Sequence, residues 1–292
     1  MSIRALVVGG TGGIGFAMAC RIAASSPPLS SIIISGRNKP ADMPYANMEF
    51  RPLDATSMRQ IKQYTTALKA SGSPKLSLLV MTQGIMTMAG RTETAEGIDR
   101  KMALHYYGRQ LLIRELLPIL AEDARVILVY DGWLGSPNKL IWDDLGLKTH
   151  FSLTKASDHC MAMGDAMVQY WAARQLREGN TNTRHFVHAW PGGVNSGLLK
   201  EVLPWYLQAP ARVLGRLVLT SPDACAERLL RGAEERAVEG REVGRFWSNI
   251  DNKGRLLRNK AVWTEEQMNR VADHTWETLD AALAGDQQTT LS

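Results

Sequence analysis

Residues 6–15 read LVVGGTGGIG, an apolar run that breaks into a glycine cluster, and residues 16–22 continue as FAMACRI with helical periodicity. This order predicts a strand, a tight turn and the start of a helix. Glycines in such a turn permit positive φ, let the backbone approach a pyrophosphate and allow close helix-on-strand packing. The helix N-terminus adds unpaired N–H groups that bind anions. The stretch therefore predicts a site for a nicotinamide dinucleotide.

The spacing of the glycines leaves their register open. Gly9/Gly13/Gly15, Gly10/Gly12/Gly15 and Gly9/Gly12/Gly15 each satisfy a dinucleotide-binding pattern. Position is more informative than spacing, because the motif requires a cluster directly after the first strand and inside a strand–helix–strand unit. The alternative is a flexible turn without a ligand.

Length and composition indicate an α/β protein with one domain over residues 1–292. The chain has 292 residues, 45% hydrophobic and 22% charged, which suffices for one large core. Its formal charge of +5 comes from scattered residues without aromatic interleaving, so we expect no nucleic-acid partner. We interpret the surplus as solvated surface and contacts to cofactor phosphates.

The cysteines and the apolar runs narrow the protein class further. Cys20, Cys160 and Cys225 form no CxxC pair, which argues against a disulfide framework or a metal site and favours a reducing, cytoplasmic location. No apolar run reaches the ~18 residues of a membrane span. We expect no integral membrane segment.

Short apolar runs alternate with helical patterns, which predicts a doubly wound parallel sheet with helices on both faces. The predicted strands are 5–8, 31–35, 48–51, 76–81, 125–130, 185–189 and 242–247. The predicted helices are 13–24, 57–70, 96–121, 151–177, 222–237 and a C-terminal helix at about 264–284.

The end of the second predicted strand indicates the cofactor type. Enzymes selective for NAD place a carboxylate there, whereas NADP enzymes place an arginine. Residues 34–39 read ISGRNK, in which Arg37 suits a 2′-phosphate and no acid occurs. The alternative is an exposed loop arginine. Asp54, after the third strand, suits a contact to the adenine edge or a cap for the next helix.

These motifs together resemble the short-chain dehydrogenase/reductase family, in particular its retinol-dehydrogenase-like branch that is abundant in fungi. The resemblance spans about residues 3–196, with VGGTGGIG at 8–15 for the TGxxxGxG loop, MTQG at 81–84 for NNAG, FSLTK at 151–155 for YxxxK and PGGVNS at 191–196 for PGxVxT. It implies a Rossmann fold that binds NADP(H). The family residues that would contact the cofactor correspond to Gly9, Thr11, Gly13, Ile14, Gly15, Arg37, Asp54, Gly84, Lys155, Pro191, Gly192, Val194 and Ser196.

The resemblance also implies an atypical active site. The family's proton-donating tyrosine falls on Phe151, its serine on Asp131 and its asparagine on His105, so only Lys155 remains of the tetrad. No lysine in the chain has a tyrosine four residues before it. Loss of a general acid costs typically ~10²–10⁴-fold in rate, which would cripple ketone reduction.

An iminium carbon needs no such acid, because it accepts hydride to give a neutral amine. A carboxylate at Asp131 would stabilise the cation before transfer, and some fungal alkaloid-pathway members that this sequence resembles in lacking the tyrosine act on such species. His150 is an alternative proton donor, although a histidine at a helix start is more often a surface or capping group. Tyr130 precedes Asp131 on an alternating strand and is predicted to point away from it.

Residues 197–220 are rich in large apolar side chains and follow the family's nicotinamide loop, where the family has its substrate lid. A lid of this kind predicts a bulky hydrophobic substrate; the alternative is an amphipathic helix on a membrane surface. We expect an NADP(H)-dependent oxidoreductase acting on a specialised metabolite. The alternatives are a redox-neutral isomerase or cyclase that retains the dinucleotide, and a catalytically silent binding protein. A homo-oligomer is compatible with the sequence.

Overall fold

The computed structural model describes residues 2–130, 135–177, 182–197 and 218–285. Within these ranges the strands form one parallel sheet of seven strands in the order β3-β2-β1-β4-β5-β6-β7. The strands are β1 Arg4–Val8, β2 Ser31–Gly36, β3 Met48–Pro52, β4 Leu76–Met81, β5 Leu120–Val129, β6 His185–Ala189 and β7 Trp247–Ile250.

Helices cover both faces of this sheet. They are α1 Gly13–Ser25, α2 Met58–Ala70, α3, α4 Leu153–Arg177, α5 Pro222–Val243 and α6 Glu265–Ala284, where α3 joins Arg100–Met102, a π-helical segment Ala103–Tyr107 and Gly108–Leu116. Side chains alternate along β1, so that Ala5 and Val7 pack towards α1 and α5 while Leu6 and Val8 pack towards the other four helices. This is the doubly wound α/β architecture that the sequence predicts.

Side-chain caps fix where several helices begin. Ser57 accepts a hydrogen bond from the Gln60 N–H ahead of α2, and Asp99 accepts from the first N–H groups of α3. Thr264 and Gln267 form a reciprocal capping box at the start of α6. The C-terminal helix therefore begins where the sequence places it.

The helix α6 lies across α3 and α4. The Tyr106 hydroxyl is 2.6 Å from Thr275 Oγ1, and the Tyr107 hydroxyl is 2.8 Å from His274 Nε2. Burial lowers the pKa of His274 to about 4, so its ring is neutral at pH 7. None of the helices in the described ranges has both the length and the hydropathy that crossing a membrane requires.

The predicted strand at 242–247 is wrong. Helix α5 continues to Val243 and ends at Gly244, whose φ of 68° and N–H bond to the Gly240 carbonyl form a left-handed cap. The last strand follows as Trp247–Ile250. Other boundaries differ as well, since α3 spans Arg100–Leu116 rather than 96–121 and β5 begins at Leu120 rather than 125.

The strand order reverses between β1 and β4, which leaves a crevice outside the carboxyl ends of these strands. Ligands of open α/β sheets bind at such a switch point. The glycine loop after β1 lies at this crevice. Of the predicted lid at 197–220, residues 198–217 lie outside the described ranges.

Candidate cofactor and catalytic site

A cleft of about 370 Å³ opens at the carboxyl ends of β1, β2 and β4. Its lining comes from the glycine loop, from the loops after β2, β3 and β4, from α3, and from Ser196 and Gly197 beyond β6. A larger groove of about 890 Å³ lies between α5 and residues 251–260, far from the glycine loop, and its lining is mostly ionic. The smaller cleft is therefore the candidate site.

The backbone selects one of the three glycine registers. Gly9 and Gly13 have φ of 80° and 51°, where a side chain would be strained. A Cβ on Gly9 would also lie 2.5 Å from the Gln83 nitrogen, and a Cβ on Gly15 would collide with Thr82 and the Gly9 carbonyl. Gly12 is extended and has open space around it. The register is Gly9/Gly13/Gly15.

The N-terminus of α1 is the anion-binding end of this cleft. Gly12 is the N-cap residue, no side chain caps the helix, and its first turn contains no acidic residue. The first N–H groups of a helix have no partner within the helix. Gly13 and Ile14 line the cleft, so these donors are available to a pyrophosphate.

Two arginines line the opposite end of the cleft. Arg37 follows β2 as predicted, and Arg100 begins α3, a contribution that sequence reasoning missed. Both are exposed, and neither side chain bonds or pairs with another residue of the described ranges. The loop from Thr82 to Asp99 brings Arg100 to the site, which no local pattern reveals. Two cations that line one cleft suit a phosphate.

Asp54 lines the same corner and also has a local role. Its Oδ1 accepts hydrogen bonds from the Thr56 backbone N–H at 3.0 Å and the Thr56 hydroxyl at 2.7 Å. Ser57, rather than Asp54, provides the N-cap of α2. The carboxylate is thus held in the cleft wall by the turn that it closes.

The end of β4 forms the wall facing the glycine loop. The Thr82 N–H donates to the Val8 carbonyl at 2.8 Å and joins this wall to β1. Gln83 is buried and lines the cleft, yet neither its Nε2 nor its Oε1 has a partner among the described residues. Orphaned polar atoms of this kind fit a polar ligand. Gly84 and Ile85 complete the wall.

Only part of the loop after β6 reaches the cleft. Ser196 lines it, and a Cβ on Gly13 would lie 3.0 Å from the Ser196 carbonyl. Gly192 has φ of 70° and packs against Asn252, and Val194 forms a bridge with Thr220. Pro191, Gly192 and Val194 are not among the residues that line the described cleft.

The predicted catalytic residues at the start of α4 do not converge on the cleft. Lys155 is exposed, and its backbone N–H donates to Ser152 Oγ at 3.1 Å. Phe151 is half-buried, with the Lys101 ammonium 5.1 Å from its ring centroid. Neither residue lines the cleft. No group of three or more potential metal ligands converges within the described ranges.

His150 is held at the surface by Asp144. The His150 Nδ1 and backbone N–H lie 3.0 and 2.8 Å from Asp144 Oδ2, and more than half of the histidine side chain is exposed. His150 therefore occupies a surface position, one of the alternatives to proton donation that the sequence leaves open. Asp131, the other predicted charge, lies outside the described ranges, as do residues 132–134.

His105 contributes a neutral acceptor below the cleft. The Ile85 N–H donates to its Nε2 at 2.9 Å. Burial, with the nearby Arg109 charge, lowers the pKa of His105 to about 3. The ring is therefore neutral and braces the Gly84–Ile85 backbone instead of transferring protons. The π-helical segment of α3 includes this residue, and such segments are frequent at functional sites.

Tyr130 and Arg109 form a second group that sequence reasoning did not place here. The Tyr130 ring contacts the His105 ring edge-on at 4.8 Å, and the Arg109 guanidinium lies 5.5 Å from the tyrosine centroid. Arg109 donates to the Gln83 carbonyl at 2.7 Å. Its position four residues after His105 on a helix is the signal that could have identified it.

Comparisons with known proteins find relatives among oxidoreductases, although no family model matches the chain. An oxidoreductase of Emericella nidulans is 32% identical over 215 residues, which cover 70% of this chain and 62% of the relative. A short-chain dehydrogenase/reductase of Stachybotrys chartarum is 27% identical, covering 77% and 70%. Polyprenol dehydrogenase of Homo sapiens is 28% identical, covering 81% and 74%. The chain is therefore similar to oxidoreductases, among them members of the short-chain dehydrogenase/reductase family.

Solved structures agree on the fold of this family. The NADPH-bound carbonyl reductase from chicken fatty liver superposes with a TM-score of 0.57 at 17% identity, covering 88% of this chain and 99% of the other. The chain spans 62% of the length of its relative from Emericella nidulans.

Proposed function

We propose that this protein is an NADP(H)-dependent oxidoreductase that acts on a bulky hydrophobic metabolite. The proposal rests on the glycine loop. Gly9 and Gly13 have positive φ, and Gly15 packs closely against Thr82 and the Gly9 carbonyl. The N-terminus of α1 that follows lies at the switch point and has no side-chain cap. The bound dinucleotide would supply or accept a hydride. The relatives named above are oxidoreductases, which supports the same class of reaction.

This chain's own residues account for both charged parts of such a cofactor. The N–H groups of Gly13 and Ile14 would bind the pyrophosphate, and Arg37 would bind the 2′-phosphate with Arg100 beside it. The Gln83 amide, which has no partner within the described part of the chain, would face the polar middle of the molecule. No acidic side chain stands at residues 34–39 to favour NAD.

Calorimetric titration with NADPH and NADH tests this assignment. We expect NADPH to bind more tightly, by at least ~10-fold, the scale of a lost charge-assisted contact. Arg37→Ala removes that preference, while Lys39→Ala, an exposed lysine that does not line the cleft, leaves it unchanged. Equal affinities in the parent protein, or a preference that survives in Arg37→Ala, contradict the role of Arg37.

The hydrophobic substrate is supported by apolar side chains beside the cleft. Met86 and Met88 follow the cleft residue Ile85 and are 42% and 78% exposed. Methionine surfaces adapt to irregular apolar ligands. The apolar stretch at 197–220 follows the loop after β6 in the sequence, and polyprenol dehydrogenase, by its name, acts on a long apolar alcohol.

A second candidate is hydride transfer to an iminium-type carbon, favoured by the phenyl ring at position 151, which cannot donate a proton. Asp131 would then stabilise the substrate cation. We expect Asp131→Asn to retain NADPH binding and to slow iminium reduction at least ~10-fold. Unchanged turnover contradicts the role of Asp131. Mass spectrometry with stereospecifically deuterated NADPH separates the reaction classes, since a rearranged product without deuterium indicates an isomerase or cyclase.

A further inference from the structure

Tyr130 lies where the reacting half of a dinucleotide would be expected. It directly follows β5, and its backbone N–H donates to the Ala189 carbonyl of β6 at 3.0 Å. The adjacent strand β4 is followed by Gln83, Gly84 and Ile85, which line the cofactor cleft. A dinucleotide in a doubly wound sheet extends across the switch point along these carboxyl ends. Tyr130 is not among the residues that line the described cleft; it follows the strand next to β4, in the direction in which the nicotinamide half would extend.

The groups around the Tyr130 ring resemble those of a proton-transfer site. The His105 ring touches its edge, the Arg109 guanidinium faces it, and its hydroxyl lies 3.3 Å from Ser157 Oγ. Ser157 is partly exposed on α4, so it connects the phenol to solvent. Tyr130 itself is only partly buried.

Arg109 supplies an unusual charge to this group. Only 2% of the residue is exposed, its Nε has no partner, and no carboxylate of the described ranges forms an ion pair with it. Burial lowers the pKa of Arg109 to about 10, while its interaction with Tyr130 acts in the opposite direction. An interaction that favours the guanidinium equally favours the phenolate. Burying a cation without an anionic partner costs free energy, and a Tyr130 phenolate would supply that anion.

We propose that Tyr130 is the catalytic proton donor and acceptor of this enzyme, in place of the phenol missing at Phe151, and that the substrate is a hydrophobic carbonyl compound or the corresponding alcohol. The assignment rests on the proposed oxidoreductase function. The proton donor then follows β5 and does not lie at the start of α4. Lys155 is therefore not required to activate the phenol.

The proposed reduction transfers one hydride and one proton. The carbonyl carbon accepts a hydride with its two electrons from the reduced nicotinamide, and the π pair of the C=O bond moves to oxygen. The Tyr130 O–H bond breaks and its proton goes to that oxygen, which completes the alcohol. The carbonyl is reduced and NADPH is oxidised to NADP⁺. The phenolate, stabilised by Arg109, regains a proton from solvent through the Ser157 hydroxyl; alcohol oxidation runs in reverse.

The first test measures the titration of the phenol without cofactor. The chain has seven tyrosines, so we would label the tyrosine Cζ with ¹³C and assign Tyr130 by the signal lost in Tyr130→Phe. We expect Tyr130 to ionise below both the ordinary tyrosine value of about 10 and the exposed Tyr45. Arg109→Met raises its pKa by at least about one unit, and Arg109→Lys restores it. Ionisation of Tyr130 at or above the value for Tyr45 overturns the proposal, whether or not the Arg109 variants fold.

The second test measures turnover and cofactor binding together. The probe is NADPH-dependent reduction of phenanthrenequinone, a hydrophobic dicarbonyl. Tyr130→Phe should lower kcat at least ~100-fold with the NADPH Kd unchanged. Tyr106→Phe, which removes a phenol bonded to Thr275 away from the cleft, should leave both unchanged.

The possible outcomes separate the two claims. If the parent protein does not bind NADPH, the proposed function itself fails. If NADPH binds but Tyr130→Phe reduces the quinone like the parent, only the role of Tyr130 fails. If the parent binds NADPH yet reduces neither the quinone, a steroid ketone nor an aliphatic aldehyde, the carbonyl substrate class is overturned and the iminium candidate stands.

Discussion

The cofactor half and the reacting half of this site are built in different ways. The cofactor half depends on backbone, namely the glycine loop, the N-terminus of α1 and the end of β4, with Arg37 added at the corner. The reacting half depends on side chains. Those that the family resemblance points to, Phe151 and Lys155, do not line the described cleft, and Tyr130 and Arg109 lie beyond its lining as well. Backbone geometry is specified by a few glycines in one short segment. Side-chain chemistry can move to a neighbouring strand without altering that geometry.

The largest effect on NADPH affinity is expected at a glycine of the cofactor half where a side chain does not fit. Gly13→Val places a β-branched residue at φ of 51°, against the Ser196 carbonyl. We expect NADPH affinity to fall at least ~100-fold, about 3 kcal/mol. Gly12→Ala is the matched control, because Gly12 is extended and has space for a Cβ. Full binding by a folded Gly13→Val protein contradicts the register.

The glycine register shows what a sequence can and cannot specify. The strand, the loop and the helix were predictable because they are local, and the φ values then decided among registers that spacing left open. The sequence misplaces β7 because Val243, Phe246 and Trp247 are apolar and favour a strand, whereas Gly244 ends helix α5 between them.

The reacting half could not be predicted in the same way. Arg109 reaches Tyr130 only through the packing of α3 beneath β4 and β5, and alternation along β5 says nothing about which helix side chains meet the ring. The contacts that matter there join residues more than twenty positions apart in the chain.

The next largest effect is expected from a substitution at the boundary between the two halves. His105→Phe leaves the Ile85 N–H without its acceptor, which costs about 1–3 kcal/mol of unfolding free energy. His150→Phe, at an exposed histidine, should stay within about 0.5 kcal/mol. Chemical denaturation at pH 7 measures both. Equal effects of the two substitutions would mean that His105 does not brace the cleft wall.

The same histidine predicts how stability depends on pH. Its folded pKa of about 3 lies below the unfolded value of about 6.5, so the unfolded chain takes up the proton first. The stabilisation is complete above pH 6.5 and is lost as the pH falls from there towards 3. Between pH 7 and pH 5 the parent should lose up to about 2 kcal/mol more than His105→Phe. Parallel pH profiles refute the low pKa.

The smallest effect is expected at the position where the family has its tyrosine. Phe151→Tyr restores the spacing to Lys155, yet its ring packs beside Lys101 and neither residue lines the cleft. We expect steady-state turnover to stay within about twofold of the parent, far below the gain that a new general acid provides. A gain of ~10-fold or more would return the reacting centre to α4.

A crystal structure of the protein with NADP⁺ bound would show directly whether the nicotinamide lies beside Tyr130. We expect the pyrophosphate on the first N–H groups of α1 and the 2′-phosphate at Arg37. We expect the nicotinamide beside Tyr130, so that a substrate oxygen would lie about 3 Å from the phenol. A nicotinamide enclosed by Phe151 and Lys155, with the Tyr130 hydroxyl turned away from it, would contradict the account.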